Sequence, residues 1–79
     1  MDKINISQLK KGNWFKFEGS DDLLFVTKPL YKQSSSYKKI GYYNMTKIIK
    51  GFRFIYNESV DSYKVIKLDV DIVIKGEDK

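Results

Sequence analysis

Apolar and polar positions along this 79-residue chain alternate mostly with a period of two, and no stretch reads as a long helix. Phe15 and Phe17 follow Gly12, and Phe52, Phe54 and Tyr56 follow Gly51, each set with the spacing of a half-buried strand. Leu23 to Tyr31 reads as a return strand, with Leu24 and Val26 on one side and Leu23, Phe25 and Thr27 on the other. Pro29 lacks an amide hydrogen, which places the distal half of that strand at an edge, a bend or a bulge. Ile40 to Met45 resumes as a strand. Ile66, Leu68, Val70, Ile72 and Ile74 alternate with Lys67, Asp69, Asp71, Val73 and Lys75, the cleanest amphipathic pattern in the chain. A strand of that length is expected to bend and serve two sheet edges.

The punctuation is equally regular. Ser7 and Thr46 each stand five residues before a glycine and read as caps of single helical turns. Gly51, terminating the second turn, is expected at positive φ, where alanine would cost roughly 1 kcal/mol or more. Gly19-Ser20-Asp21-Asp22 and Asn57-Glu58-Ser59 read as hairpin turns. Residues 33–38, beginning with Gln33-Ser34-Ser35-Ser36, read as a mobile loop, and residues 76–79 as a solvated tail.

Part of this regularity is an internal repeat. Asn5, Lys11, Gly12, Phe15, Ser20, Asp22, Val26 and Lys28 recur 39 residues on as Asn44, Lys50, Gly51, Phe54, Ser59, Asp61, Val65 and Lys67. Two similar β units closing one core are therefore expected. Such a chain has strand edges to protect, and closure into a barrel protects them. The expected fold is all-β: a small single-domain barrel over residues 1–79, with five to six short antiparallel strands, a pseudo-two-fold repeat and one or two single helical turns. The layout resembles the SH3-like class of barrels, in which a helical turn separates two late strands. An OB-type barrel wants longer strands and a helix for which this chain has no place.

Composition narrows the chemistry. The chain has no cysteine and no histidine, so a disulfide framework, a thiolate metal site and the usual general base are all lacking. Ser34, Ser35 and Ser36 have no base to activate them. Asp69 and Asp71 are explained as the polar side of an amphipathic strand. Gly12 and Gly51 are isolated glycines, not a phosphate-cradling loop. An enzyme is not expected, nor a cofactor or metal. No apolar run approaches the length of a signal peptide or a membrane helix, and a cytoplasmic protein is expected, including one in the cytoplasm of an infected host. Fourteen of the fifteen basic residues are lysine, nine residues are isoleucine and none is alanine. That skew fits an AT-rich genome, such as that of a phage or mobile element, and makes the net charge of +5 less informative than its placement.

The placement is informative. Between Leu23 and Asn57 there is no acidic residue, whereas Lys28, Lys32, Lys38, Lys39, Lys47, Lys50 and Arg53 all fall there, interleaved with tyrosines. Rings offer faces on which bases stack, and lysines neutralise phosphates. Lys28, Tyr31, Lys32, Tyr37, Lys38, Lys39, Tyr42, Tyr43 and Arg53 are therefore candidate contacts for single-stranded nucleic acid or RNA, without much sequence preference because arginine is nearly absent. The plainer alternative is that the tyrosines pack half-buried on a sheet while the lysines keep the protein soluble. Trp14 lies on the opposite side of its strand from Phe15 and Phe17. It is either an exposed anchor for a partner or a ring covered by a loop or a terminal strand near Ile4 and Ile6. A non-enzymatic nucleic-acid-binding module is the first expectation. The rival is an accessory or inhibitor protein of a phage or mobile element, docking on a host enzyme or defence complex through Trp14, a strand edge and the Pro29 to Lys39 segment. Either is expected as a monomer or small homo-oligomer, with no membrane partner.

Overall fold

A computed structural model describes residues 2–69 of the chain. Six strands, β1 (Asp2–Asn5), β2 (Trp14–Lys16), β3 (Leu24–Lys32), β4 (Tyr37–Asn44), β5 (Ile49–Tyr56) and β6 (Lys64–Leu68), form one antiparallel sheet in the order β1-β6-β2-β3-β4-β5. Two 3₁₀ turns, Ile6–Gln8 and Asn57–Ser62, lie between β1 and β2 and between β5 and β6. The fold is all-β, as the alternation predicts. Among the described residues the sheet is open rather than a closed barrel, because β1 and β5 each have one neighbour. Closure would need those two edge strands to pair; the expected hairpin of β5 with β6 does not form, because β6 already has β1 and β2 on its two edges, and β4 is the one partner of β5. The part of the amphipathic strand expected beyond Asp69, and the tail at 76–79, lie outside the described residues.

One face of the sheet holds the core. Phe15, Phe17, Leu24, Val26, Ile40, Ile55 and Val65 converge there and are closed over by Ile6, Leu9 and Val60 from the two 3₁₀ turns and their flanks. The first turn is held by Asn5, whose Oδ1 accepts from Ser7 N at 2.9 Å while its backbone N donates to Gln8 Oε1 at 2.9 Å. The cap is therefore Asn5, not Ser7. Asn5 Nδ2 also donates to Val60 O at 2.7 Å and so joins the two turns. Lys3 and Glu18 pair at 2.7 Å, and Glu18 holds the Lys3 ammonium above the ordinary lysine value through that hydrogen bond and its charge. Both ends are exposed, where such pairs add little to stability.

The long β3–β4–β5 meander positions everything that follows. The register of β3 against β4 shifts between Val26 and Lys28 and again between Lys28 and Tyr31, and the second shift spans Pro29, which has no amide hydrogen for the ladder. Residues 33–36 make a compact hairpin turn, in which Ser34 Oγ accepts from Ser36 N and Asn57 Nδ2 donates to Ser35 O. Residues 37 and 38 belong to β4 rather than to a loop.

The repeat does not become a two-fold. Its first copy folds as β2 paired with β3, whereas the corresponding β5 and β6 do not pair and are joined through the second 3₁₀ turn. The copies also bury opposite sides of their alternation. Phe15 and Phe17 face the core, while their counterparts Phe54 and Tyr56 are 45% and 63% exposed and Ile55 is buried. What the copies share is an asparagine that closes a turn: Asn44 Oδ1 accepts from Lys47 N at 2.9 Å, in the position of Asn5. Thr46 is not the cap and instead accepts from Leu23 N. The second turn is not helical, and its positive-φ residue is Ile48 rather than Gly51.

Gly51 matters for a different reason. It lies across from Tyr42, and a Cβ at Gly51 would sit 2.5 Å from Tyr42 Cε1. With no side chain there, the Tyr42 ring crosses β5 and its hydroxyl donates to Phe52 O at 3.3 Å. Gly51→Ala is expected to destabilise by about 1–3 kcal/mol through overpacking, and to cost less in a Tyr42→Ala background. Urea denaturation of the four proteins of that cycle measures it; strict additivity would contradict the contact. The inverted repeat makes a second expectation for the same measurement. Phe15→Ala should cost about 3–5 kcal/mol, as a buried ring does, while Phe54→Ala stays within about 1 kcal/mol of the parent.

Candidate functional site

Directly paired residues in a sheet share a face, so the β3–β4–β5 register lays out the side opposite the core row by row. Across the three strands the rows read Phe25, Tyr43, Lys50; then Lys28, Gly41, Phe52; then Tyr31, Lys39, Phe54; and finally Tyr37 beside Tyr56. Each three-strand row holds one lysine and at least one ring. No acidic residue lies anywhere in these three strands. The rings are accessible: Phe52 is 53% exposed, and Phe54 and Tyr56 are likewise open to solvent. Gly41, between Lys28 and Phe52, leaves bare backbone in the middle of the platform, where an added Cβ would come within 3.3 Å of Lys28 Cβ.

Cations and rings are already in contact. Lys28 Nζ lies 4.3 Å from the Tyr31 ring centre, and Lys39 Nζ lies 4.5 Å from that of Phe52 and 5.6 Å from that of Phe54. At exposed sites such contacts are worth about 0.5–1 kcal/mol, weak enough to yield to a better partner for either group. The far end of the platform is built differently. Asn57 N donates to Ser36 O at 3.0 Å, which makes Tyr37 and Tyr56 a pair without mutual backbone hydrogen bonds, the type whose side chains stand closest. Tyr37 stands edge-on to Phe54 at 5.0 Å and to Tyr56 at 6.1 Å, and the three rings line an open cleft of about 380 Å³.

The structure brings together Lys28, Tyr31, Tyr37, Lys39 and Tyr43 of the residues singled out in the sequence. It separates the others. Lys32 and Lys38 pair with each other on the opposite side of the sheet, in line with buried Ile55. Tyr42 faces the core, edge-on to Phe15 and Phe17. Arg53 also turns to the core side, its guanidinium 4.0 Å from the Phe17 ring centre and donating to Tyr63 Oη at 2.8 Å. Trp14 is 5% exposed, with its ring against Phe25 at 4.9 Å. Of its two expected states it is the covered one, and its ring is not offered to a partner.

Phe25, Lys50, Phe52, Phe54 and Tyr56 complete the platform and were not among the candidates. Lys50 has the parity of Phe52, Phe54 and Tyr56, but Arg53 has that of Ile55, so each side of β5 carries one charge and the sequence holds no signal that singles these residues out. Among the described residues no cluster of acidic side chains is placed to hold a metal ion, and no helix is long and apolar enough to cross a membrane. No family model matches the chain, and no curated protein or solved structure matches it.

The burial of Trp14 has a direct optical readout. Its emission is expected to be blue-shifted and weakly quenched by acrylamide in the folded protein, and red-shifted and strongly quenched in urea. Strong quenching under native conditions would put the ring at the surface.

Proposed function

We propose that this protein is a small non-enzymatic binding module that contacts single-stranded nucleic acid, with little sequence preference, through the outer face of β3, β4 and β5. The observation that carries this reading is the row pattern: one lysine and at least one ring in every three-strand row, with no carboxylate in the three strands. A row of rings provides stacking faces for unpaired bases, and interleaved lysines provide point charges for the phosphates between them. Lysine, lacking the planar fork of arginine, binds phosphate without reading sequence, and Arg53 is committed to the other side of the sheet.

Exposed aromatic patches also serve protein interfaces, so the rival reading of an accessory protein that docks on a host enzyme has the same platform to draw on. Two features favour nucleic acid. Lysine is depleted from the centres of protein interfaces, whereas Lys39 sits centrally here, between Tyr31 and Phe54. Trp14, the anchor the rival reading would use, is buried. A cytoplasmic location, where single strands are encountered, is part of the same proposal.

The platform predicts which lysines matter. Lys28→Glu with Lys39→Glu should weaken binding to oligonucleotides of any sequence and should flatten the dependence of log K on log salt by about 0.7 per lost phosphate contact. Lys38→Glu, on the opposite side, should change both far less. Fluorescence anisotropy of labelled single strands at several salt concentrations measures this. No binding at low salt would overturn the proposal and leave a protein partner as the reading to pursue.

A further inference from the structure

Within the platform the rings are not equivalent. Tyr31, Phe52 and Phe54 each have a lysine ammonium over or beside them. Among the described residues, no cation lies over Tyr37 or Tyr56. These two rings and Phe54, with Tyr37 edge-on to both of the others, line the open cleft of about 380 Å³, a volume at the small end of the range for small-molecule sites. The cleft is walled by ring surface, and the hydroxyls of Tyr37 and Tyr56 are its own polar groups. Lys39 lies two residues along β4 from Tyr37, directly across from Phe54.

We infer that the Tyr37–Phe54–Tyr56 cleft is the base-insertion subsite of the platform: it takes one unpaired nucleobase from a single strand, and Lys39 takes the adjoining phosphate. The inference rests on the nucleic-acid reading above and adds to it a place and an order. A base can stack on Tyr37 or Tyr56 without first displacing a cation, since Lys39 lies only beside the third wall, 5.6 Å from the Phe54 ring centre. The phosphate that follows draws Lys39 from the Phe52 and Phe54 rings and so frees those faces for the next base. Charge complementarity identifies the occupant as a polyanion carrying aromatic groups. An apolar peptide would leave Lys39 unpaired, and an acidic peptide would supply charge without rings to stack. The hairpin turn at residues 33–36, tied to Asn57 by two hydrogen bonds, holds the base of the cleft in place without entering it.

The test compares two probes of equal length and equal phosphate count, a labelled thymidine oligonucleotide and a labelled abasic strand, by anisotropy at low salt. Stacking of one base is worth about 1–3 kcal/mol, so the thymidine strand should bind roughly 5- to 150-fold more tightly than the abasic one. Tyr37→Ala with Tyr56→Ala should remove most of that ratio while leaving abasic binding nearly unchanged. Tyr56→Leu keeps an apolar side chain on the strand and guards against misfolding, which circular dichroism checks. It should lower the ratio in the same direction. Equal binding of the two probes by the parent protein would overturn the subsite while leaving an electrostatic nucleic-acid surface intact. A ratio that survives both cleft variants would place base stacking elsewhere on the platform and would also overturn it. Binding of neither probe would instead remove the reading on which the subsite rests.

Discussion

Ile40 lies opposite Arg53 and Tyr42 opposite Gly51 across β4 and β5, and this register cannot slip by one residue without exchanging the two faces of the sheet. Two contacts hold it. Ile55 reaches the core beside Ile40, and the Tyr42 ring crosses β5 over the space that Gly51 leaves. Once Ile55 is inside, Phe52, Phe54 and Tyr56 have to be outside, because neighbouring side chains on a strand point in opposite directions. The exposed aromatic platform is thus the geometric counterpart of a small core packed from the other parity.

That arrangement leaves three large rings of β5 in water, a cost that a free-standing domain ordinarily avoids by covering such a surface. The lysines reduce it in part, since the Lys39 ammonium lies 4.5 Å from the Phe52 ring centre and 5.6 Å from that of Phe54. The same lysines make the surface uniformly positive, because every carboxylate of the chain lies outside residues 23–57. Two acidic side chains outside that stretch have partners in the fold. Asp22 accepts from Asn44 Nδ2 and faces Lys47 at 3.6 Å, pinning the turn that precedes β5, and Glu18 meets Lys3.

The repeat shows how far a linear pattern reaches. Asn5 and Asn44 do the same local job in both copies, and local chemistry of that kind survives transfer because it involves only residues two or three apart. Which side of the following strand goes inward is settled by partners far away in sequence. Phe15 meets Leu24 and the turn residues Ile6 and Leu9, whereas Phe54 lies on an edge strand whose inner side is filled by Ile55. The bulge at Pro29 was legible because a missing amide hydrogen is a property of one residue. The missing hairpin between β5 and β6 was not, because it follows from β1 and β2 both claiming β6.

By itself the sequence determined the all-β class, most strand positions, the absence of cysteine and histidine chemistry, and an acid-free centre rich in lysine and rings. These are properties of composition and of a period of two, and they need no partner to be read. The tertiary structure alone decided which rings are exposed, that Lys28 and Lys39 share a face while Lys32, Lys38 and Arg53 do not, and that Trp14 is covered. The physical reason is that alternation specifies two faces without labelling them. Only the packing of one face against a core assembled from distant strands tells the buried face from the one left in solvent.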